Sequence, residues 1–453
     1  EIHAGDWSSD VCSSDLCIPI VIQNGFTNLA SLLDNIMIGQ LGTLSMSGVS
    51  ISNQLFQVFN VSVFGAMSGA GIFLAQFYGR GNRDGVHNCF RIKMLLGILI
   101  SILAICIFKV LGPSLISLYL NDDPTDSLTT LNFGKQYMDV MLIGLIPFAI
   151  TQVYSSSLRE TGNTVLPMKA SVIAVIVNFC INYILIFGHF GFPKLGVIGA
   201  AIGTVVSRIV EMGINIAAGL NNNYLRGAMR LYKISGDIFK NVVKRGIPLL
   251  CNEILWSISI ALISQCYSTR GLEAVAAINI TTTVTNFFMI ICYAMGNSIS
   301  IIVGQRLGAG EIEYAKDCDL KMVFMNFMMC LCIGVALFLC SSFIPQIYNM
   351  SIEVKSLATS LLRVSACMLP IISLYYSSYF TMRAGGKTLL TFFFDSGYTF
   401  MFTFMVALCL TRFTNLPIFN VYLLVQCVDI PKAVLGITLV KKGIWVHNIV
   451  NEL

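Results

Sequence analysis

The chain has 453 residues, of which 56% are hydrophobic and 11% charged, and its mean hydropathy is +0.77. A soluble domain carries about a quarter of its residues as charges, so a soluble enzyme is excluded. The net charge of +5 is accounted for by the placement of Lys and Arg described below, and no nucleic-acid partner is needed.

The first sixteen residues, EIHAGDWSSDVCSSDL, are polar and lack the basic flank and apolar core of a signal peptide. They resemble translated sequencing-adapter read-through, and residues 1–16 are expected to be foreign to the fold. From residue 17 onward, apolar runs of the roughly 20 residues needed to cross a bilayer recur with short polar breaks. The sequence predicts twelve spans: 17–38, 46–74, 90–112, 131–156, 166–188, 195–218, 243–266, 272–303, 319–344, 356–381, 388–410 and 416–440. Runs such as LLGILISILAICIF do not alternate as strands of a membrane barrel do, so the spans are helices.

The even-numbered breaks hold the excess of basic residues. Arg80, Arg83, Arg91 and Lys93 follow span 2, Arg159 and Lys169 flank the loop after span 4, and Arg226, Arg230, Lys233, Lys240, Lys244 and Arg245 lie around the central loop. Lys441 and Lys442 follow span 12, whereas the opposite breaks hold few, and the one after span 3, NDDPTD, is acidic. Cytoplasmic loops carry excess Lys and Arg, which predicts a multi-pass protein with both termini in the cytoplasm; the plasma (bacterial inner) membrane is its expected location. The fifteen cysteines fall mostly inside apolar runs, where a thiol acts as a small hydrophobe, and Cys330 and Cys332 lack zinc-site spacing.

The chain repeats itself. At an offset of 229, Pro19 meets Pro248, Gly42 meets Gly271, Gln76 meets Gln305, Gly79 meets Gly308 and Gly81 meets Gly310. At 224, RETGNT (Arg159 to Thr164) meets RAGGKT (Arg383 to Thr388). Two six-helix lobes of parallel topology follow, 17–218 and 241–443, joined by a basic loop over 219–240 and trailed by a tail at 444–453. Such a duplication belongs to transporters that alternate access by moving one half against the other.

Ionisable groups inside a bilayer are costly and mark function by default. Asp34 in span 1, Glu253 in span 7 and Asp395 in span 11 are the candidate cation-coupling carboxylates, because a carboxylate withdrawn from water takes up a proton or a cation readily. The plainer alternative for Asp34 is a capped or paired carboxylate near the outer interface and for Glu253 a carboxylate snorkelling toward the cytoplasmic surface, while Asp395 has no partner in the repeat. The candidate substrate cavity is lined by the amides Asn28, Asn35, Gln57, Asn60, Asn178, Asn182, Asn279 and Asn286, with Trp256 as an aromatic member. Arg208 and Glu211, three apart on one helical face, read as a structural ion pair. HExxH and GxSxG are absent, and GGKT at 385–388 lacks the first glycine of a phosphate loop, since position 381 is Thr381. No enzyme, cofactor or structural metal is expected.

LLDNIMIGQLG (Leu32 to Gly42), AQFYGRGN at the end of span 2, its copy GQRLGAGE and LRETGNT together resemble the multidrug and toxic compound extrusion (MATE) family over residues 17 to about 443. The resemblance implies a V-shaped pair of six-helix lobes that acts as a monomer and exports organic, often cationic, compounds in exchange for Na⁺ or H⁺. Asp34 matches the family's span 1 acid. In span 5, Asn178 matches an Asn, whereas Asn182 stands where one branch has Asp. Glu253 resembles the span 7 acid of another branch, where Na⁺ would bind transiently, but the span 10 acid of that branch has no counterpart here. The coupling ion is therefore open between Na⁺ and H⁺. A lipid-linked oligosaccharide flippase of the same wider superfamily is the alternative.

Overall fold

The computed structural model describes residues 6–120, 124–230, 234–348 and 350–452. Residues 121–123 of the acidic break, Lys233 and residues 1–5 lie outside them. Among the described residues the protein is helical, with twelve helices long and apolar enough to span a membrane. We number them α1 (Asp15–Gly39), α2 (Thr43–Gly79), α3 (Arg83–Ser117), α4 (Thr125–Glu160), α5 (Val165–Phe187), α6 (Val197–Asn221), α7 (Gly236–Ser268), α8 (Leu272–Ala309), α9 (Ile312–Cys340), α10 (Ile352–Ala384), α11 (Thr388–Phe413) and α12 (Ile418–Lys441). The helix that contains α1 begins earlier, at Asp6. Every predicted span falls on one of the twelve. Helices alone satisfy their backbone polar groups within one segment, which is what a lipid solvent demands.

The α3 sequence shows how each helix divides its faces. Leu95, Leu99 and Leu103 recur one turn apart and are exposed, as suits a lipid-facing stripe. Gly97, Ser101, Ala104 and Gly112 are buried on the other side, small enough to let neighbouring backbones approach.

The chain forms two compact units. One comprises 18–74 and 83–242; the other comprises 243–453 together with 75–82 and the chain up to Cys17. The unit boundaries therefore differ from a simple cut at the central loop, since the last turns of α2 join the second unit. The C-terminal segment holds them there. Gln76 donates to the carbonyls of Ala384 and His447 at 3.1 and 3.3 Å, and its Oε1 accepts from the Ile449 amide at 2.9 Å. Arg80 donates to the Val450 carbonyl at 2.9 Å. Trp445, 1% exposed, and the buried Ile449 and Val450 anchor the same segment by apolar packing.

The repeat explains a close crossing inside this second unit. A Cβ on Gly79 would overlap the Gln305 carbonyl, and one on Gly308 would overlap the Gln76 carbonyl. The residues that match at offset 229 are thus the residues that meet: the end of α2 and the end of α8 cross backbone to backbone, which only glycine permits. Just beyond the crossing, Gly81 and Gly310 both turn the chain with left-handed φ, 73° and 82°.

Two charge assignments read from the sequence change. Lys93, counted among the loop basics, is fully buried and pairs with Glu160 and Ser156. Its helix begins ten residues earlier, at Arg83, so Lys93 lies almost three turns inside. Arg208 and Glu211 do not pair. Glu211 accepts from the Ser171 hydroxyl at 2.6 Å, and the Arg208 guanidinium lies 4.4 Å from the centre of the Phe148 ring.

Candidate functional site

The first unit contains a cavity of about 410 Å³ bordered by α1, α2, α4 and α6. α1 contributes Asp34 and Asn35, α2 contributes Asn53, Gln54, Gln57 and Asn60, α4 contributes Tyr137 and Phe148, and α6 contributes Thr204 and Arg208. Gln57 and Asn60 project from successive turns of α2, which is why their spacing marks a polar stripe.

Behind Asp34 lies a chain of amides and hydroxyls. Asn182 Nδ2 donates to Asp34 Oδ1 at 2.6 Å and to Asn178 Oδ1 at 3.2 Å. Asn178 Nδ2 donates to Thr204 Oγ1 at 3.3 Å. Asn178 and Asn182 lie one turn apart on α5 and are 5% and 0% exposed, so both point inward. The Asn182 carbonyl oxygen has no hydrogen-bond partner, and it sits where a Cβ on Gly203 would have to go. Tyr137, 4% exposed, donates to Asn53 Oδ1 at 3.3 Å.

The site thus gathers one carboxylate, neutral oxygen donors, one guanidinium and the aromatic faces of Phe56, Phe59 and Phe148. Hard oxygen ligands suit a proton or an alkali cation, and aromatic faces attract an organic cation. Asp34 and Arg208 balance in charge, so neutralising Asp34 would leave the lining net positive.

The sequence candidates divide. Asp34, Asn35, Gln57 and Asn60 line the cavity, with Asn178 and Asn182 directly behind. Asn28 does not: its amide donates to the Asn24 carbonyl one turn back at 2.9 Å, and it is exposed. Asn279 and Asn286 are exposed on α8 in the other unit, and Trp256 is half-buried on α7.

Glu253 and Asp395 come together in the second unit, but in a different setting. Tyr379 donates to Glu253 Oε1 at 3.1 Å. The neighbouring Asn252 donates to Asp395 Oδ2 at 3.0 Å and accepts from the Ser396 hydroxyl at 2.8 Å. Lys432 Nζ, 2.9 Å from Asp395 Oδ1, also donates to Thr399 at 3.2 Å. Asp395 is thus a buried ion-pair partner of the Lys432 ammonium. It lies in a stretch of α11 wound as π-helix, Phe393–Gly397, and such widened turns redirect side chains.

Three charged residues escaped the sequence analysis. Lys432 and Asp429 belong to DIPK, midway along α12 and inside the predicted span 416–440. Asp319 is fully buried and accepts from Thr381 at 2.6 Å, leaving Oδ2 unpartnered. The only available signal was a carboxylate seven residues inside α9, close enough to its end to pass for a surface charge.

Twelve spanning helices in two units, with a polar cavity built around a carboxylate in one of them, define a multi-pass membrane transport protein rather than an enzyme. The MatE family model matches residues 19–184 and 248–409, and the chain belongs to the MatE family of membrane transporters. The probable multidrug resistance protein NorM of Thermotoga maritima is 26% identical over 377 residues, covering 83% of this chain and 80% of that protein. The probable multidrug resistance protein YoeA of Bacillus subtilis is 25% identical over 391 residues, covering 82% and 80%. The fold is that of a multidrug resistance MATE family transporter of the MOP superfamily solved in an outward-facing conformation, with a TM-score of 0.87 at 19% identity over 95% of both chains.

Proposed function

We propose that the protein is a multidrug exporter of the plasma membrane, working as a monomer with both termini in the cytoplasm. It exchanges organic, often cationic and amphipathic compounds for Na⁺ or H⁺. The names of its NorM and YoeA relatives support the substrate class. The observation that carries the coupling is the cavity in which Asp34 and Arg208 are the charged lining residues.

With Asp34 ionised, the lining is neutral overall and its carboxylate attracts an organic cation. A proton or Na⁺ on Asp34, held with help from Asn178, Asn182 and Thr204, leaves Arg208 unopposed and repels that cation. The two ligands then compete through one carboxylate, which is the thermodynamic requirement for antiport: each lowers the affinity of the other by the same factor. Glu253 is the second coupling carboxylate, hydrogen-bonded by Tyr379 in the other unit.

Ethidium efflux from proteoliposomes under an imposed Na⁺ gradient, and separately under a pH gradient, tests this reading. Acceleration by one of the gradients that disappears in Asp34→Asn is expected. Efflux that ignores both gradients in a folded protein would overturn it.

A further inference from the structure

Away from Asp34, the first unit has a second and larger cavity of about 1180 Å³. It is walled by the first turns of α3, the last turn of α6 and the connecting segment that follows. Four of its lining residues are Arg83, Arg91, Arg226 and Arg230, with Asp84 the one carboxylate on the wall.

The arginines have separate tasks. Arg83 Nη2 donates to the Arg226 carbonyl at 2.8 Å and Arg91 Nε to the Ala228 carbonyl at 2.7 Å. These two tie the connecting segment to α3. Arg226 and Arg230, held on that segment, are exposed and make no side-chain hydrogen bond or ion pair among the described residues. His87, also on the wall, leaves its Nε2 without a partner. Unspent donors around a concave space, with one acid against four guanidiniums, specify an anionic ligand, and guanidinium geometry matches phosphate.

The apolar part of the wall narrows the choice. Leu220 and Met229 are 54% and 56% exposed and line the same cavity. α3 begins at Arg83 and α6 ends at Asn221, so the cavity lies at the ends of two spanning helices, the level at which lipid headgroups would meet it. A phosphate that arrives with acyl chains would use both the arginines and the apolar rim.

We propose that this cavity binds the headgroup phosphate of an anionic phospholipid, with Arg226 and Arg230 as its principal donors. Its site would lie between the end of the first six-helix half and the loop that leads to the second. This binding does not depend on the coupling role of Asp34.

The test is native mass spectrometry of the intact protein from mixed micelles containing phosphatidylglycerol or phosphatidylcholine. Each basic residue near a lipid surface contributes about 1 kcal/mol, so the double variant Arg226→Gln/Arg230→Gln is expected to lose about tenfold or more in phosphatidylglycerol retention. Lys441→Gln/Lys442→Gln removes the same charge elsewhere and is expected to retain the lipid. Melting temperatures of the three proteins, compared in the lipid-free detergent, verify that the variants are folded. Equal retention by the arginine variant, or equal loss in the lysine variant, would overturn the site. Displacement of the lipid by millimolar glycerol phosphate would overturn the lipid assignment in favour of a free phosphate.

Discussion

Asn182 on α5 donates a 2.6 Å hydrogen bond to the carboxylate of Asp34 on α1. One amide therefore ties the helix that bears Asp34 to the buried polar stripe of its neighbour. Because the other hydrogen of Asn182 is given to Asn178, the amide has no donor left for water, and its fully buried position fixes the carboxylate's direction.

Replacing Asn182 by Leu removes a donor from a carboxylate that stays in place. Loss of one hydrogen bond to a charged group costs about 1.5–3 kcal/mol, so the melting temperature in detergent is expected to fall. Asn182→Asp would put a second carboxylate against the first. Repulsion makes both harder to ionise together, and Asn182→Asp is expected to give gradient-driven efflux a pH dependence different from that of the natural chain.

Lys432 and Asp395 form the buried pair of the second unit. Lys432→Met strands the Asp395 carboxylate, and breaking such a pair costs about 3–5 kcal/mol. The double variant Lys432→Met/Asp395→Leu is expected to recover most of that loss, because apolar replacements of a buried pair are often neutral. Thermal unfolding of the two single variants and the double variant measures the cycle.

The glycine crossing predicts a paired effect. Gly79→Ala and Gly308→Ala each drive a Cβ into a backbone carbonyl, where no side chain can yield. Each is expected to exceed the usual span of about 0.5–3 kcal/mol for a point change. Combined, they are expected to cost less than their sum, since one separation of α2 from α8 relieves both. The equivalent change at Gly213, where a Cβ would meet nothing within 4 Å, serves as the neutral control.

Trp445 donates to the Val440 carbonyl at 3.0 Å and lies buried beneath the end of α10. Trp445→Ala is expected to cost about 3–5 kcal/mol and to loosen the end of α2, which the same segment holds through Gln76 and Arg80. Faster amide exchange at residues 75–82 would report it.

The spans were legible because lipid imposes one requirement, a run of apolar residues, over the whole length of each helix. The repeat was legible because a backbone crossing admits only glycine, so Gly79 and Gly308 are pinned at the same offset as Gln76 and Gln305. Asp34 stood out as a lone acid in an apolar run. Its polar neighbours were harder to rank: Asn178 and Asn182 turn inward, whereas Asn28 bonds its own helix, and the sequence holds no record of that rotation. The buried pairs were illegible for another reason. Lys93 stands near a span end, where a charge ordinarily meets water, whereas Lys432 lies well inside its span. Their partners Glu160 and Asp395 lie 67 and 37 residues away, and the pairing exists only once the helices have packed.

The proposed antiport requires that a proton or Na⁺ on Asp34 and an organic cation in the cavity exclude one another. Equilibrium binding of tetraphenylphosphonium to the purified protein tests it most directly, measured against pH and against Na⁺ for the natural chain and for Asp34→Asn. Coupling between sites is commonly about 1–3 kcal/mol; the account predicts an affinity that falls by about tenfold as the coupling ion saturates, and an Asp34→Asn protein that binds weakly and ignores both ions. A natural chain whose affinity is unmoved by either ion, or a variant that binds and responds as the natural chain does, would contradict it.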